Sequence, residues 1–252
     1  MTTGIQNVVI GSYAGDALTG GSYNTALGHS ALSTEDNHGT NTAIGFEALK
    51  TLNAGTNAYN VAMGYAAGTA MTTGAQNVVI GGRAGDALTV GSYNVAIGYQ
   101  ALSSEDSWGM NVAVGFNALT ALDAGGHGHN VAVGAEAGDA MTVGVNNVLV
   151  GSGAGGALNT GGNNIAIGKD ALSTENSGSH NVAVGHEALK ALDYNGSAYN
   201  VAVGYTAGTV MTTGIKNVLI GSEAGDALTT GGYNVAVGHR ALSSEDTTGK
   251  SV

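Results

Sequence analysis

Asn7-Val8-Val9-Ile10-Gly11 is the pentad whose reading decides the fold, because the chain keeps returning to it. Its leading asparagine recurs at Asn24, Asn41, Asn60, Asn77, Asn94, Asn111, Asn130, Asn147, Asn164, Asn181, Asn200, Asn217 and Asn234. The intervals run 17, 17, 19 and 17 residues and then repeat, so a short unit is nested in a long one of 70 residues. Long super-repeats cover 7–76, 77–146 and 147–216, and 217–252 begins another. Fixed periods of this kind mark a solenoid, in which each unit buries its apolar face against its neighbours.

Each unit reads as one coil. The pentad is a short strand of β-branched residues closed by a glycine where the chain bends. A second apolar stretch follows, such as Ala14-Gly15-Asp16-Ala17-Leu18, and a corner such as Gly20-Gly21-Ser22 returns the chain to the next asparagine. The expected class is therefore all-β: one parallel β-solenoid (β-roll) domain over 1–252, with about 14 coils of 17–19 residues. Coils stacked at the ~4.8 Å strand spacing make a rod roughly 65–70 Å long. The two extra residues of each longer coil should bulge at a corner (Thr56-Asn57-Ala58-Tyr59, Gly126-His127-Gly128-His129) and leave the strands in register. Helix competes for Ala48-Leu49-Lys50-Thr51-Leu52, but so short a segment between glycines is not stable as a helix.

Composition suits a thin core. The 252 residues include 44 Gly, no Pro, one Trp and two Phe, and the apolar residues are mostly Ala and Val. Hydrophobic residues make up 43% and charged residues 10%, so the glycine does not signal a disordered linker. A net charge of −11 argues against nucleic acid and anionic membrane surfaces as partners. No apolar run reaches the ~20 residues of a membrane span, so membrane insertion is not expected. Without cysteine there is neither a disulfide nor thiolate chemistry. Met1-Thr2-Thr3-Gly4 repeats at Met71 and Met211, and the last residues stop as another pentad begins, so the chain reads as a piece of a longer array.

The fourteen asparagines are expected to form a structural ladder, each amide bonding to those above and below. Pentad positions two and four (Val8 and Ile10, Val95 and Ile97) should fill the coil interior. Position three then faces outward, yet it is never polar. Val9, Ala43, Val79, Ala113, Leu149, Ala183 and Leu219 accordingly mark an inter-chain interface, since a strand apolar on both faces is covered on both.

Two stretches carry a family resemblance: Asn41 to Leu49 (Asn-Thr-Ala-Ile-Gly-Phe-Glu-Ala-Leu) and Gly91 to Leu102 (Gly-Ser-Tyr-Asn-Val-Ala-Ile-Gly-Tyr-Gln-Ala-Leu). They resemble the repeats of phage and virus tail-fibre proteins and the head repeats of trimeric autotransporter adhesins. The resemblance implies a homotrimer of parallel β-rolls, left-handed as in the adhesin heads, displayed outside a cell or on a virion. It also implies attachment to a host surface, or support of a tip that attaches. The coils are longer than typical adhesin-head coils, and no anchor, stalk or C-terminal chaperone domain is seen.

No Ser/His/Asp set or phosphate loop stands out, so no catalytic residue, cofactor or enzymatic activity is expected. The acidic pairs Glu35-Asp36, Glu105-Asp106 and Glu245-Asp246, with Glu175-Asn176 in the equivalent place, read as solvated corners rather than a cation site. His127 and His129 form the one His-x-His; in a trimer six imidazoles would meet, but a lone copy at a bulged corner reads as an exposed loop rather than a metal site. Phe46, Tyr65, Tyr99, Phe116 and Tyr205 follow pentad glycines and form ring columns. Such rings stack on host glycans in the alternative reading, and on one another in the simpler one. Corner threonines (Thr19, Thr72, Thr89, Thr142, Thr212, Thr229) raise an ice-binding alternative, which Glu, Asp and Leu in the other coils interrupt.

Overall fold

In the computed structural model, which describes residues 3–105 and 107–244, each pentad supplies one three-residue strand at positions two to four. The chain divides into two compact units, residues 1–128 and 129–252. In the first unit the strands are β1 (Val8–Ile10), β2 (Thr25–Leu27), β3 (Thr42–Ile44), β4 (Val61–Met63), β5 (Val78–Ile80), β6 (Val95–Ile97) and β7 (Val112–Val114). In the second they are β8 (Val131–Val133), β9 (Val148–Val150), β10 (Ile165–Ile167), β11 (Val182–Val184), β12 (Val201–Val203), β13 (Val218–Ile220) and β14 (Val235–Val237). Within each unit every strand pairs with the next one in the chain, parallel and in equivalent register. The protein is a parallel β-solenoid, and no helix occurs among the described residues. Thr42 pairs with Val61 and Val182 with Val201, so these two 19-residue coils keep register and place their extra residues at a corner. At that corner a side chain on Gly55 or Gly125 would meet open space.

The rest of each coil is turn, yet its backbone bonds also run from coil to coil. Gly28 N–H donates to the Ile10 carbonyl at 2.9 Å, Ser30 to Ser12 at 2.9 Å, and Leu32 to Ala48 at 3.0 Å. Thus nearly all corner groups find the partners that burial demands. The second apolar stretch is a left-handed turn rather than a strand. Counting the asparagine as coil position one, positions seven and nine have positive φ, leucine included, from 48° at Leu49 to 59° at Leu242. A leucine there is costly, and burial of its side chain offsets the strain. The pentad glycine is required twice over. Gly98 has φ 136°, and a Cβ on it would stand 2.2 Å from the Gly115 carbonyl oxygen of the next coil.

The interior corrects the expected direction of the strand. Position three points inward: Ala26, Ala43, Val79, Ala113, Leu149, Ala183 and Leu219 are fully buried within the one chain, and Val9, in the first coil, is half-buried. Positions two and four point out. A 17-residue coil encloses a narrow section, so the inward residue must be small wherever leucine enters from position nine. Bulk is traded across the section. Position three is Ala where position nine is Leu (Ala26 and Leu32, Ala113 and Leu119), and it grows in the first coil of each super-repeat, where position nine is Gly (Val79 and Gly85, Leu149 and Gly155). In the fourth coil Ala62, Ala132 and Ala202 go with Gly68, Gly138 and Gly208, and the buried Met71, Met141 and Met211 at position twelve supply the bulk. A Cβ on Gly155 would lie 2.8 Å from Leu149 Cδ2, and one on Gly85 3.3 Å from Val79 Cγ1. Val9, Val79, Leu149 and Leu219 are thus core fillers at 70-residue intervals, not interface residues.

Candidate functional site

The asparagine column is structural, with a different wiring from amide on amide. Within each unit the Oδ1 accepts the backbone N–H of the next asparagine: Asn24 from Asn41 at 3.0 Å, Asn77 from Asn94 at 2.8 Å, Asn147 from Asn164 at 2.9 Å. In most coils the Nδ2 turns across its own coil to a corner carbonyl, as Asn60 does to Gly74 at 2.7 Å and Asn200 to Gly214 at 2.7 Å, whereas Asn41, Asn111 and Asn181 donate to Gly39, Gly109 and Ser179, two residues before them. Amide-to-amide bonds appear only at some rungs, such as Asn77 to Asn60 and Asn147 to Asn130, both at 3.2 Å. From Asn24 onward these side chains are buried, leaving no face for a ligand.

Burial overturns the reading of the acidic pairs as solvated corners. Glu35, Glu105 and Glu175 are 0% exposed. They occupy coil position twelve, a core column otherwise filled by Leu18, Leu52, Met71, Leu88 and Leu122 and their counterparts. Each carboxylate is bound by two backbone N–H groups. Glu35 accepts from His38 (3.2 Å) and Ala54 (3.3 Å), and Glu105 from Trp108 (3.0 Å) and Ala124 (3.5 Å). Glu175 accepts from Gly178 (2.7 Å) and Tyr194 (3.4 Å). Burial pushes the Glu35 and Glu175 carboxyls above the usual carboxylate range, and these N–H donors pull partly against it. Asp106, Glu245 and Asp246 lie outside the described residues.

Glu35, Asp36 and His38 offer ligand atoms within 4.8 Å of one another. Both Glu35 oxygens, however, are engaged by the corner backbone, and Trp108 and Gly178 stand where His38 would recur. His127 rests edge-on against Trp108, ring centroids 5.7 Å apart. The corner threonines bond across coils, Thr72 Oγ1 donating to the Thr89 carbonyl at 3.1 Å and Thr212 to Thr229 at 3.3 Å. These hydroxyls are used by the fold.

The outer face of the strands is apolar. Positions two and four of every strand lie outside the core, half-buried or exposed, including Ile10, Leu27, Met63, Val133, Ile167 and Ile220. Thr25 and Thr42 are the polar residues among them. An outer face this apolar at every strand far exceeds the scattered surface hydrophobics of an ordinary monomer. Rings flank it in sequence. Of the residues preceding the asparagine, Tyr23, Tyr59, Tyr93, Tyr199 and Tyr233 are exposed. At position six, His29, Phe46 and Tyr65 stack nearly parallel at 5.2 and 5.3 Å, Tyr99 on Phe116 at 6.0 Å, and His186 on Tyr205 at 5.4 Å. The rings stack on one another, which leaves mainly their edges to solvent.

Comparison with protein-family models matches none, and comparison with curated proteins and with solved structures likewise finds no match.

Proposed function

We propose that this chain is a structural fibre or adhesin segment: a rigid, non-enzymatic β-solenoid that assembles as a homotrimer and supports or displays host-surface attachment outside a cell or on a virion. The observation that carries the reading is the outer apolar face of positions two and four. That face repeats at the strand spacing of ~4.8 Å, so a cover that fits every coil must repeat with the same period. A second copy of this chain, aligned in parallel, supplies that period, and it buries the exposed valines and isoleucines without charged partners. Trimeric symmetry, left-handed coiling and surface display rest on the resemblance to tail-fibre and adhesin-head repeats. The interface is accordingly placed on Val95, Ile97, Val112 and Val114 and their equivalents. Sedimentation equilibrium on the intact chain tests it: three chain masses are expected, and a single 24.6 kDa species at micromolar concentration refutes it.

A further inference from the structure

In the first unit the position-six column is two stacks with a break between them. Tyr65 ends the stack begun by His29 and Phe46, and Tyr99 begins the one it shares with Phe116. Between them stands Gly82, with no side chain to continue the column. Within the stacks ring faces cover one another, so Tyr65 and Tyr99 each keep one face toward the break; they are 56% and 49% exposed. The Tyr99 ring walls one side, since a Cβ on Gly82 would lie 3.4 Å from its Cδ2. The floor is fixed backbone: Arg83 N–H donates to the Tyr65 carbonyl at 2.8 Å, and the Gly82 carbonyl accepts from Gln100 at 3.1 Å.

The height of the break selects its guest. Coils two apart are separated by ~9.6 Å, twice the strand spacing. A flat aromatic ring in contact on both faces at 3.5–4.0 Å fills only about 7–8 Å. A puckered, saturated ring with hydrogens on both faces fills the remainder, and such C–H faces pack well on tyrosine. Charge narrows the class further. Arg83, next to the break, is exposed and forms no salt bridge among the described residues, although its charge reaches Asp86. Arg83 is therefore the charge that an anionic guest would meet beside the break.

Position six is small in the first coil of each super-repeat (Ser12, Gly82, Ser152, Ser222), but the surroundings differ. Ser222 lies between Tyr205 and His239, where Glu223 already engages Arg240. Ser152 has Ala135 and Lys169 as its neighbours in the column. Among the described residues, only Gly82 has a tyrosine on both sides and an unpaired arginine alongside.

We propose that the Gly82 break is a binding subsite for a carboxylate-bearing pyranose, held between Tyr65 and Tyr99 with its carboxylate on Arg83. Saturation-transfer NMR on the intact chain, with methyl β-D-glucuronide and methyl β-D-glucoside as probes, tests it. The glucuronide ring protons should take up at least fivefold more saturation than those of the glucoside. Gly82→Tyr, at a backbone position outside the left-handed region, completes the stack and should abolish the signal with unchanged melting temperature. Tyr99→Ala should abolish it by removing a wall, and Arg83→Gln should lower the glucuronide signal to the glucoside level. Equal transfer in the wild type and Gly82→Tyr, equal transfer from both sugars, or none from either, overturns the proposal. Chain mass is read separately, so failure here leaves the assembly reading untouched.

Discussion

At the scale of single residues, what looks like repetitive filler is tightly specified. Replacing Gly98 by Ala puts a Cβ into the carbonyl of the coil above, at a φ that only glycine adopts readily. The conformational cost alone is about 1–3 kcal/mol, and the clash adds to it, so a melting temperature within a degree of wild type would refute the account. Bulk exchange between positions three and nine makes a sharper prediction. Leu149→Ala should cost about 2–5 kcal/mol by opening a void. Gly155→Leu alone should destabilise by overpacking against Leu149. The double variant reproduces the Ala-plus-Leu pairing of neighbouring coils, so it should recover much of the loss. Simple additivity of the two changes in chemical denaturation would show that the residues do not share one space. This trade explains what the sequence concealed. A strand apolar at positions two, three and four carries no parity signal, and the habit of placing the bulkier residue inside points the wrong way in a section this narrow. The size of Val9, Val79, Leu149 and Leu219 was visible, but its meaning depended on the glycine six residues on together with leucine, not methionine, at position twelve.

At the scale of the coil, pentad recurrence alone gave the strands, their parallel order and the register across the longer coils, because spacing is a chain property that packing cannot alter. The Glu column was legible too, once coils were aligned by position: Glu35, Glu105 and Glu175 fall where every other described coil has Leu or Met. Adjacency to an aspartate made Glu35 look like half of a surface pair, whereas the fold buries Glu35 and leaves Asp36 only half-buried. The asparagine rung is a three-way junction, so its parts can be removed separately. Asn94→Ala deprives the Asn111 N–H of its acceptor and leaves the Trp108 carbonyl without its donor. Each buried group left unpaired costs about 1–3 kcal/mol. Amide exchange at Asn111 should quicken first, and unchanged protection there would mean that the Oδ1 bond does not hold the rung.

Across the molecule, the buried glutamates couple stability to pH in a definite sense. Glu35 and Glu175 have folded-state affinities for protons raised above that of the unfolded chain by burial. The folded form therefore binds more protons between the unfolded value of 4.5 and the raised folded one. Stability from this source is full below the unfolded value and declines as pH rises through that window. Melting temperature should fall on that rise, and Glu35→Gln combined with Glu175→Gln should flatten the profile. A steeper profile in the double variant would reverse the sign of the argument.

Assembly gives the complementary test, because the strand's two faces now have distinct roles. Val112 and Ala113 are adjacent in β7, one on the outer face and one in the core. Val112→Glu places a charge on the proposed shared wall, where a desolvated and unpaired carboxylate is costly. It should shift the chain toward monomer while leaving the solenoid's circular dichroism intact. Ala113→Glu forces the same group into a fully buried site between coils, and it should unfold the surrounding coils whatever the oligomeric state. Sedimentation and circular dichroism on the two variants separate the faces. A trimer that survives Val112→Glu, Ile97→Glu and Val95→Glu unchanged would leave the outer wall without a covering role, and the structural-fibre reading would lose its support.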